Sequence, residues 1–281
     1  MRISHWIKNL FVFVPLLYSR NLFDAGLLLI SIKAVIGFSL VSSVVYIFND
    51  ISDADSDRQH PEKKNRPIAK GTVKKAEALS IIIIFIIAGI LITYDLNWEY
   101  QCILVSYFII NLLYSFKLKN IPIIDILCIA SGFILRIIGG AFVINVIISN
   151  WLVLTTLFIS LFLAIMKRRS EMMLVSQYNK TRIVLEEYSE SYLNLLLTIS
   201  STAVIVCYAL YTVSERTVTF FGTENMVYTI IFVIYGIFRF MYLVLIKQRS
   251  ENIAEMIMKD LPLIVNIVLY VIFTVVIIYL I

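Results

Sequence analysis

At 60% hydrophobic and only 15% charged residues over 281 positions, with a mean hydropathy of +0.90, the chain departs far from a soluble domain, which is near half apolar and a quarter charged. Most of it is therefore expected to lie in lipid. The net charge of +5 is small, and the basic residues gather in loops rather than along a face that could track a phosphate backbone, which argues against nucleic-acid binding.

Cys102, Cys128 and Cys207 sit singly in apolar stretches, and His5 and His60 fall in separate segments, so neither a disulfide nor a zinc site is implied. In chain order, the first twenty residues carry Arg2 and Lys8 ahead of an apolar run from Leu10 to Leu17. No small-residue cleavage site follows, so this stretch is expected to be retained rather than removed as a signal peptide.

A helix needs about 20 apolar residues to cross a bilayer. Runs of that kind predict nine spans, at 9–23, 26–48, 78–94, 99–115, 123–144, 150–166, 193–213, 226–246 and 262–281. The first is short and interrupted by Pro15. With the N-terminus in the cytoplasm, the loops 49–77, 116–122, 167–192 and 247–261 face inward and hold nearly all the loop Lys and Arg, while the opposite loops hold only Arg20 and Arg216. This is the positive-inside asymmetry. Trp6, Trp98 and Trp151 fall at span ends, as interfacial anchors do. No repeat or linker divides the chain, so the expectation is an all-α, polytopic membrane protein forming a single domain over 1–281.

The chemistry concentrates at the end of the second span, in Asn49-Asp50-x-x-Asp53-x-x-x-Asp57. If the helix continues, Asp50, Asp53 and Asp57 share one face. Crowded carboxylates persist more readily with a cation between them, and oxygen-only ligands favour Mg²⁺, which usually completes its shell with waters and phosphate oxygens. Lys63, Lys64 and Arg66 follow within a His60-Pro61 to Arg66-Pro67 stretch and supply point charges and a bidentate fork for phosphate. The bland alternative is a solvated loop of mixed charge. A second basic set comprises Lys117, Lys119, Arg136 and Lys167-Arg168-Arg169. Terminal Lys and Arg often merely snorkel to headgroups, but Arg136 lies about a dozen residues inside an apolar span, where a charge is costly unless it faces a polar cavity or an anion. Lys33 and Arg239 invite the same question, with an interface or a nearby carboxylate as the alternative. Gly132, Gly139 and Gly140 on the fifth span suit close helix packing; such faces allow a homo-oligomer without demanding one.

The acidic motif, at the cytoplasmic end of the second of nine spans, resembles the first acidic motif of the UbiA superfamily of membrane prenyltransferases. Those enzymes carry a second Asp-x-x-x-Asp motif after span six, whereas Lys167-Arg168-Arg169-Ser170-Glu171 stands here, and Glu186-Glu187 with Glu190 substitutes poorly. That departure resembles one branch of the superfamily, the decaprenyl-phosphate phosphoribosyltransferases. The segments that carry this resemblance are Trp6-Ile7-Lys8-Asn9, Val45 to Asp50, His60-Pro61 through Ala69, Tyr114 to Lys119 with Asp125, Arg136 with Gly139-Gly140, Lys167-Arg168 with Glu171, Glu187-Tyr188 with Tyr192-Leu193, Ala203 to Tyr208, and Glu251 to Asp260. Ile3, where the family often has Pro, and Asn65 among the basic residues depart from it.

The resemblance implies a UbiA-like helical bundle in the cytoplasmic (inner) membrane with its active site facing the cytoplasm. It implies transfer of 5-phosphoribosyl from 5-phosphoribosyl 1-diphosphate to a polyprenyl phosphate, on the way to lipid-linked pentofuranose for envelope glycans. By position, Asn49 and Asp53 would hold Mg²⁺, Asp50 and Asp57 would support the chemistry, Lys8, Tyr46, Lys63 and Arg66 would hold the donor, and Lys119, Arg136, Lys167 and Arg168 would hold the lipid phosphate. Two rivals stand beside this reading: a prenyltransferase moving an isoprenyl group from its diphosphate to an aromatic acceptor, and a non-catalytic lipid carrier.

Overall fold

Lipid offers no partner for a free backbone N–H or C=O, so a chain this apolar closes its hydrogen bonds within helices. The computed structural model describes residues 3–58, 63–175, 183–247 and 253–280. Arg2, His60, Pro61, Lys180, Arg182, Arg249 and Glu251, and the side chain of Lys63, lie outside the described residues. Among the described residues the chain is helical apart from short connections and has no strand: a 3-10 segment Ile3–Phe13, then α1 (Val14–Tyr18), α2 (Ala25–Ser52), α3 (Ala54–Arg58), α4 (Pro67–Lys70), α5 (Lys75–Thr93), α6 (Trp98–Phe116), α7 (Ile124–Val143), α8 (Asn150–Val175), α9 (Ile183–Glu186), α10 (Glu190–Val213), α11 (Glu215–Phe221), α12 (Ile230–Met241), α13 (Ile253–Lys259) and α14 (Leu261–Tyr279).

Among the described residues seven helices are long and apolar enough to span a bilayer, not the nine expected. The predicted first span is a shorter apolar helix, Trp6–Tyr18, most of it wound as 3-10. The span expected at 99–115 is helical over Trp98–Phe116 but carries Glu99, Gln101 and Asn111, which lowers its hydropathy. A second difference concerns Lys167-Arg168-Arg169, expected in a loop after residue 166. They lie inside α8, which runs on to Val175; Ala164–Met173 contains no Gly or Pro to stop it, and its Lys, Arg, Glu and Met are good helix formers.

Local chemistry sets the starts and interiors. Asp24 caps α2 by accepting the Leu27 N–H at 2.9 Å, and Asp260 caps α14 through the Leu263 N–H at 3.1 Å. Inside the helices, Ser39, Ser42, Ser43, Thr93, Thr156 and Ser160 each bond back to the carbonyl four residues earlier, which satisfies hydroxyls that have no water to turn to. Lys33 and Arg239 find carboxylates, Asp95 at 2.5 Å and Asp260 at 2.9 Å.

The chain divides into two compact units. The first comprises Met1–Leu16, Leu22–Lys119 and Leu135–Val146. In it α2 runs along α5 and also meets α6 and the 3-10 segment, around a core of Val12, Ala34, Phe38, Val45, Tyr100 and Tyr107. Gly139 lets Phe38 and Ile103 approach α7, since a Cβ there would stand 3.0 and 3.2 Å from them.

The second unit comprises Leu17–Asn21, Asn120–Ile134 and Ile147–Ile281. Here α8 lies along α10 and α12 along α14, with Phe162, Met166, Leu193, Leu197 and Leu243 filling the core. A buried ion-pair cluster interrupts it. Arg168, fully buried, donates to Asp125 and Glu171 at 2.5 Å each. Tyr188 donates to the other Asp125 oxygen at 2.7 Å and accepts the Ile123 N–H at 2.6 Å. Burial pushes the Tyr188 hydroxyl pKa up, so it stays a donor. Ile123 sits at φ +69°, a costly conformation for a β-branched residue that persists only where its surroundings hold it. Removing one partner of a buried ion pair costs about 3–5 kcal/mol. Arg168→Ala is therefore expected to lower the melting temperature of the detergent-purified protein by many degrees, and an unchanged melting curve would contradict a structural role for the pair.

Candidate functional site

The acidic motif is helical almost end to end. Asn49 and Asp50 close the last turn of α2, Asp53 caps it with its N–H on the Asn49 carbonyl at 2.8 Å, and the Asp57 N–H bonds to the Asp53 carbonyl at 2.8 Å as α3 takes over. The i, i+3 and i+4 spacing thus holds across the junction and puts the polar side chains along one edge.

The carboxylates divide their work. Arg66, at the N-terminus of α4, reaches back to Asp57 at 2.6 Å and to Asp50 at 3.3 Å. Asp57 is buried and Asp50 nearly so, and a shared guanidinium removes their mutual repulsion. Asp53 is more open and receives Lys119 at 3.2 Å. Lys63 opens the 3-10 turn Lys63–Asn65 that leads into Arg66.

Among the described residues no three His, Cys, Asp or Glu side chains gather to form a metal cage. One atom nonetheless points to a cation. The Asn49 side-chain oxygen is buried without a hydrogen-bond partner, a costly state for an amide. It lies one helical turn before Asp53, so an amide oxygen and a carboxylate share a face. Mg²⁺ is commonly held by one or two protein oxygens, with water and substrate phosphate completing the octahedron. Asn49 with Asp53, the most open of the three carboxylates even with Lys119 beside it, fits that donor set, whereas Asp50 and Asp57 are held more deeply on Arg66.

The other predicted residues fall into two groups. Lys8 on the 3-10 segment and Tyr46 on α2 are half-buried in the first unit, as is Lys119. Arg136 is buried there too: its Nε donates to Asn9 at 2.8 Å, one terminal nitrogen donates to Tyr107 at 3.0 Å, and the guanidinium stacks over the Tyr107 and Phe38 rings at 4.8 and 5.6 Å. Lys167 and Arg168 belong to the second unit, where Lys167 is half-buried and Arg168 is enclosed by Asp125 and Glu171. Arg169 is paired with Glu190 and Asn194. Trp6, expected as an interfacial anchor, donates its indole N–H to Ser43 at 3.1 Å. Asn9, Tyr107 and Asp125 are polar residues whose pairing roles sequence reasoning missed, because each partner lies tens of positions away.

Comparison with known proteins bears on this geometry. A model of the UbiA prenyltransferase family matches residues 10–261. The decaprenyl-phosphate phosphoribosyltransferase of Mycolicibacterium smegmatis is 35% identical over 220 residues, covering 76% of this chain and 69% of that protein. The protein of the same name from Mycobacterium tuberculosis is 32% identical over 216 residues, covering 75% and 72%. A UbiA homolog from Archaeoglobus fulgidus, solved bound to GPP and Mg²⁺, superposes with a TM-score of 0.73 over 99% of this chain and 97% of that one, at 15% identity; this likeness speaks to the fold.

Because no bond holds the Asn49 side-chain oxygen, Asn49→Leu is expected to leave the melting temperature near wild type while weakening binding of Mn²⁺ with inorganic diphosphate by at least about tenfold. Paramagnetic resonance of Mn²⁺ measures the affinity, and unchanged binding would contradict the ligand assignment.

Proposed function

Since the chain belongs to the UbiA prenyltransferase family and is a multi-pass membrane transferase, we propose that it moves 5-phosphoribosyl from 5-phosphoribosyl 1-diphosphate to a polyprenyl phosphate, releasing diphosphate. The observation that carries this reading is the pairing of one acidic motif with a basic, not acidic, second region. The end of α8 reads Lys167-Arg168-Arg169, and the nearby acids Glu171 and Glu190 are engaged by Arg168 and Arg169. A prenyltransferase needs a second acidic motif there; a transferase that seats an anionic lipid does not. The names of the relatives agree.

In the transfer, the bond from the ribose anomeric carbon to the diphosphate oxygen breaks and one from that carbon to a lipid phosphate oxygen forms. The nucleophile is already an anion, so no general base is needed. Among the described residues none of the acidic-motif partners is His or Cys. Asn49 and Asp53 would hold Mg²⁺, whose contribution when bound is to neutralise charge on the diphosphate. Arg66, Lys63, Lys8 and Tyr46 are assigned to the phosphoribosyl donor, with Asp50 and Asp57 orienting Arg66 as a fork toward phosphate. The lipid phosphate is assigned by family resemblance to Lys119 and Lys167. Arg136 and Arg168, buried on protein partners, contribute through position. Catalysis then rests on orientation and electrostatic stabilisation. The excess of Lys and Arg on one set of loops supports an active site at the cytoplasmic side of the inner membrane, and the product suits assembly of envelope glycans.

Purified protein given labelled phosphoribosyl diphosphate, polyprenyl phosphate and Mg²⁺ is expected to carry label into the lipid phase, and Asp53→Ala is expected to abolish this while remaining folded. Label entering lipid only from an isoprenyl diphosphate with an aromatic acceptor would favour prenyl transfer. A folded Asp53→Ala enzyme with most of its activity would contradict the site.

A further inference from the structure

The 3-10 winding of Ile3–Phe13 has a structural reason. Runs longer than three or four residues are uncommon in this conformation, and this one extends over eleven. With three residues per turn, Trp6, Asn9 and Val12 fall in one row along the segment. All three are anchored: Trp6 on Ser43 at 3.1 Å, Asn9 on Ser39 at 2.9 Å, and Val12 against Gly140, where a Cβ would overlap the Val12 carbonyl oxygen.

The repeat distances match. Three residues of 3-10 helix rise about 6 Å, and four residues of α-helix rise about 6 Å, so Trp6 and Asn9 meet Ser43 and Ser39 in register, running antiparallel to α2. An α-helical segment would turn the same residues progressively away from this row. Arg136 completes the anchor. Its guanidinium, buried and stacked on Tyr107 and Phe38, donates to the Asn9 side-chain oxygen at 2.8 Å, while the Asn9 amide nitrogen donates to Ser39. Both ends of the Asn9 amide are thereby used, and neither α2 nor α7 can shift without breaking one of them.

Lys8 lies between the two hydrogen-bonded anchors, one residue from Asn9, so its backbone is fixed beside the Ser39–Ser43 turn of α2, about 13 Å along that helix from Asn49. We propose that Arg136 is a positioning residue, acting through Asn9 to hold the 3-10 segment in register on α2 and so to set Lys8 for the anionic donor, rather than a direct ligand of the lipid phosphate. This rests on the phosphoribosyl-donor reading given above.

The test uses the full chain in nanodiscs and four variants: Arg136→Gln, Asn9→Leu, the double variant, and Gly140→Ala, which displaces the segment from its other end. Three readouts separate the parts of the proposal. Hydrogen exchange of the amides of residues 6–13 should quicken in every variant. Calorimetric Kd for phosphoribosyl diphosphate should rise about tenfold, with Arg136→Gln and Asn9→Leu no worse together than singly, while the KM for polyprenyl phosphate stays within about twofold of wild type. Unchanged exchange in Arg136→Gln would overturn the anchoring. Faster exchange with unchanged donor affinity, or a raised KM for the lipid alone, would overturn the link to Lys8 in favour of a direct lipid contact. Wild-type protein that binds no phosphoribosyl diphosphate would instead overturn the donor reading itself.

Discussion

A charge in hydrocarbon must have a partner, and that requirement arranges the polar side chains of this protein. Arg66 lies between Asp50 and Asp57, Lys119 on Asp53, Arg168 on Asp125 and Glu171, and Arg239 on Asp260. Lys33 reaches Asp95 at the edge of its span. These pairs do not share one purpose. The Arg168 pair is fully buried and has no room for a substrate, so it serves the packing of α7 on α8. The Lys119–Asp53 pair is partly open, and an anionic ligand that brings its own metal can compete for it at modest cost, since exposed ion pairs contribute little; the Arg66 pair, with Asp57 buried, holds its guanidinium in place.

The acidic motif shows the difference between having charged residues and arranging them. Of the four carboxylates within eight residues Asp55 pairs with Arg58, and the three that share one edge, Asp50, Asp53 and Asp57, would repel one another on a bare helix. Arg66 takes two of them, and the more open Asp53, paired with Lys119, stands one turn from the unbonded Asn49 oxygen, the two groups to which we assign the cation. On the proposed reading the site separates an inner layer that orients a guanidinium from an outer one assigned to a metal and its diphosphate. Mg²⁺ prefers such a partial set, because it surrenders its waters reluctantly and leaves coordination sites for phosphate.

Much of this was legible in the sequence, and for identifiable reasons. The long apolar runs declare the helices because a bilayer demands continuous hydrophobicity, and the spacing of Asn49, Asp50, Asp53 and Asp57 survives the α2 to α3 junction because Asp53 keeps the helical hydrogen bond to Asn49. What the sequence concealed depends on distance along the chain. Nothing local pairs Arg168 with Asp125, 43 positions away, or Arg136 with Asn9, 127 positions away. Such contacts belong to packing, and a basic residue near a span end reads from sequence alone as a phosphate ligand or a snorkelling side chain. The expected loop at Lys167-Arg168-Arg169 failed for the same reason: once Asp125 and Glu190 neutralise the arginines, no charge forces α8 to end. The 3-10 segment was the subtler miss. Its period-three row of Trp6, Asn9 and Val12 is visible in the sequence, but its meaning depends on the matching serine row of α2.

On the proposed reading Asn49 and Asp53 face the metal and donor diphosphate while Arg66 keeps Asp50 and Asp57. A structure of the protein with Mn²⁺ and phosphoribosyl diphosphate, located by the anomalous signal of the metal, tests it most directly. A manganese peak is expected within bonding distance of the Asn49 and Asp53 side-chain oxygens, with the diphosphate on the same ion. A metal bound by Asp50 and Asp57 with Arg66 displaced, or a diphosphate seated away from this motif, would contradict it.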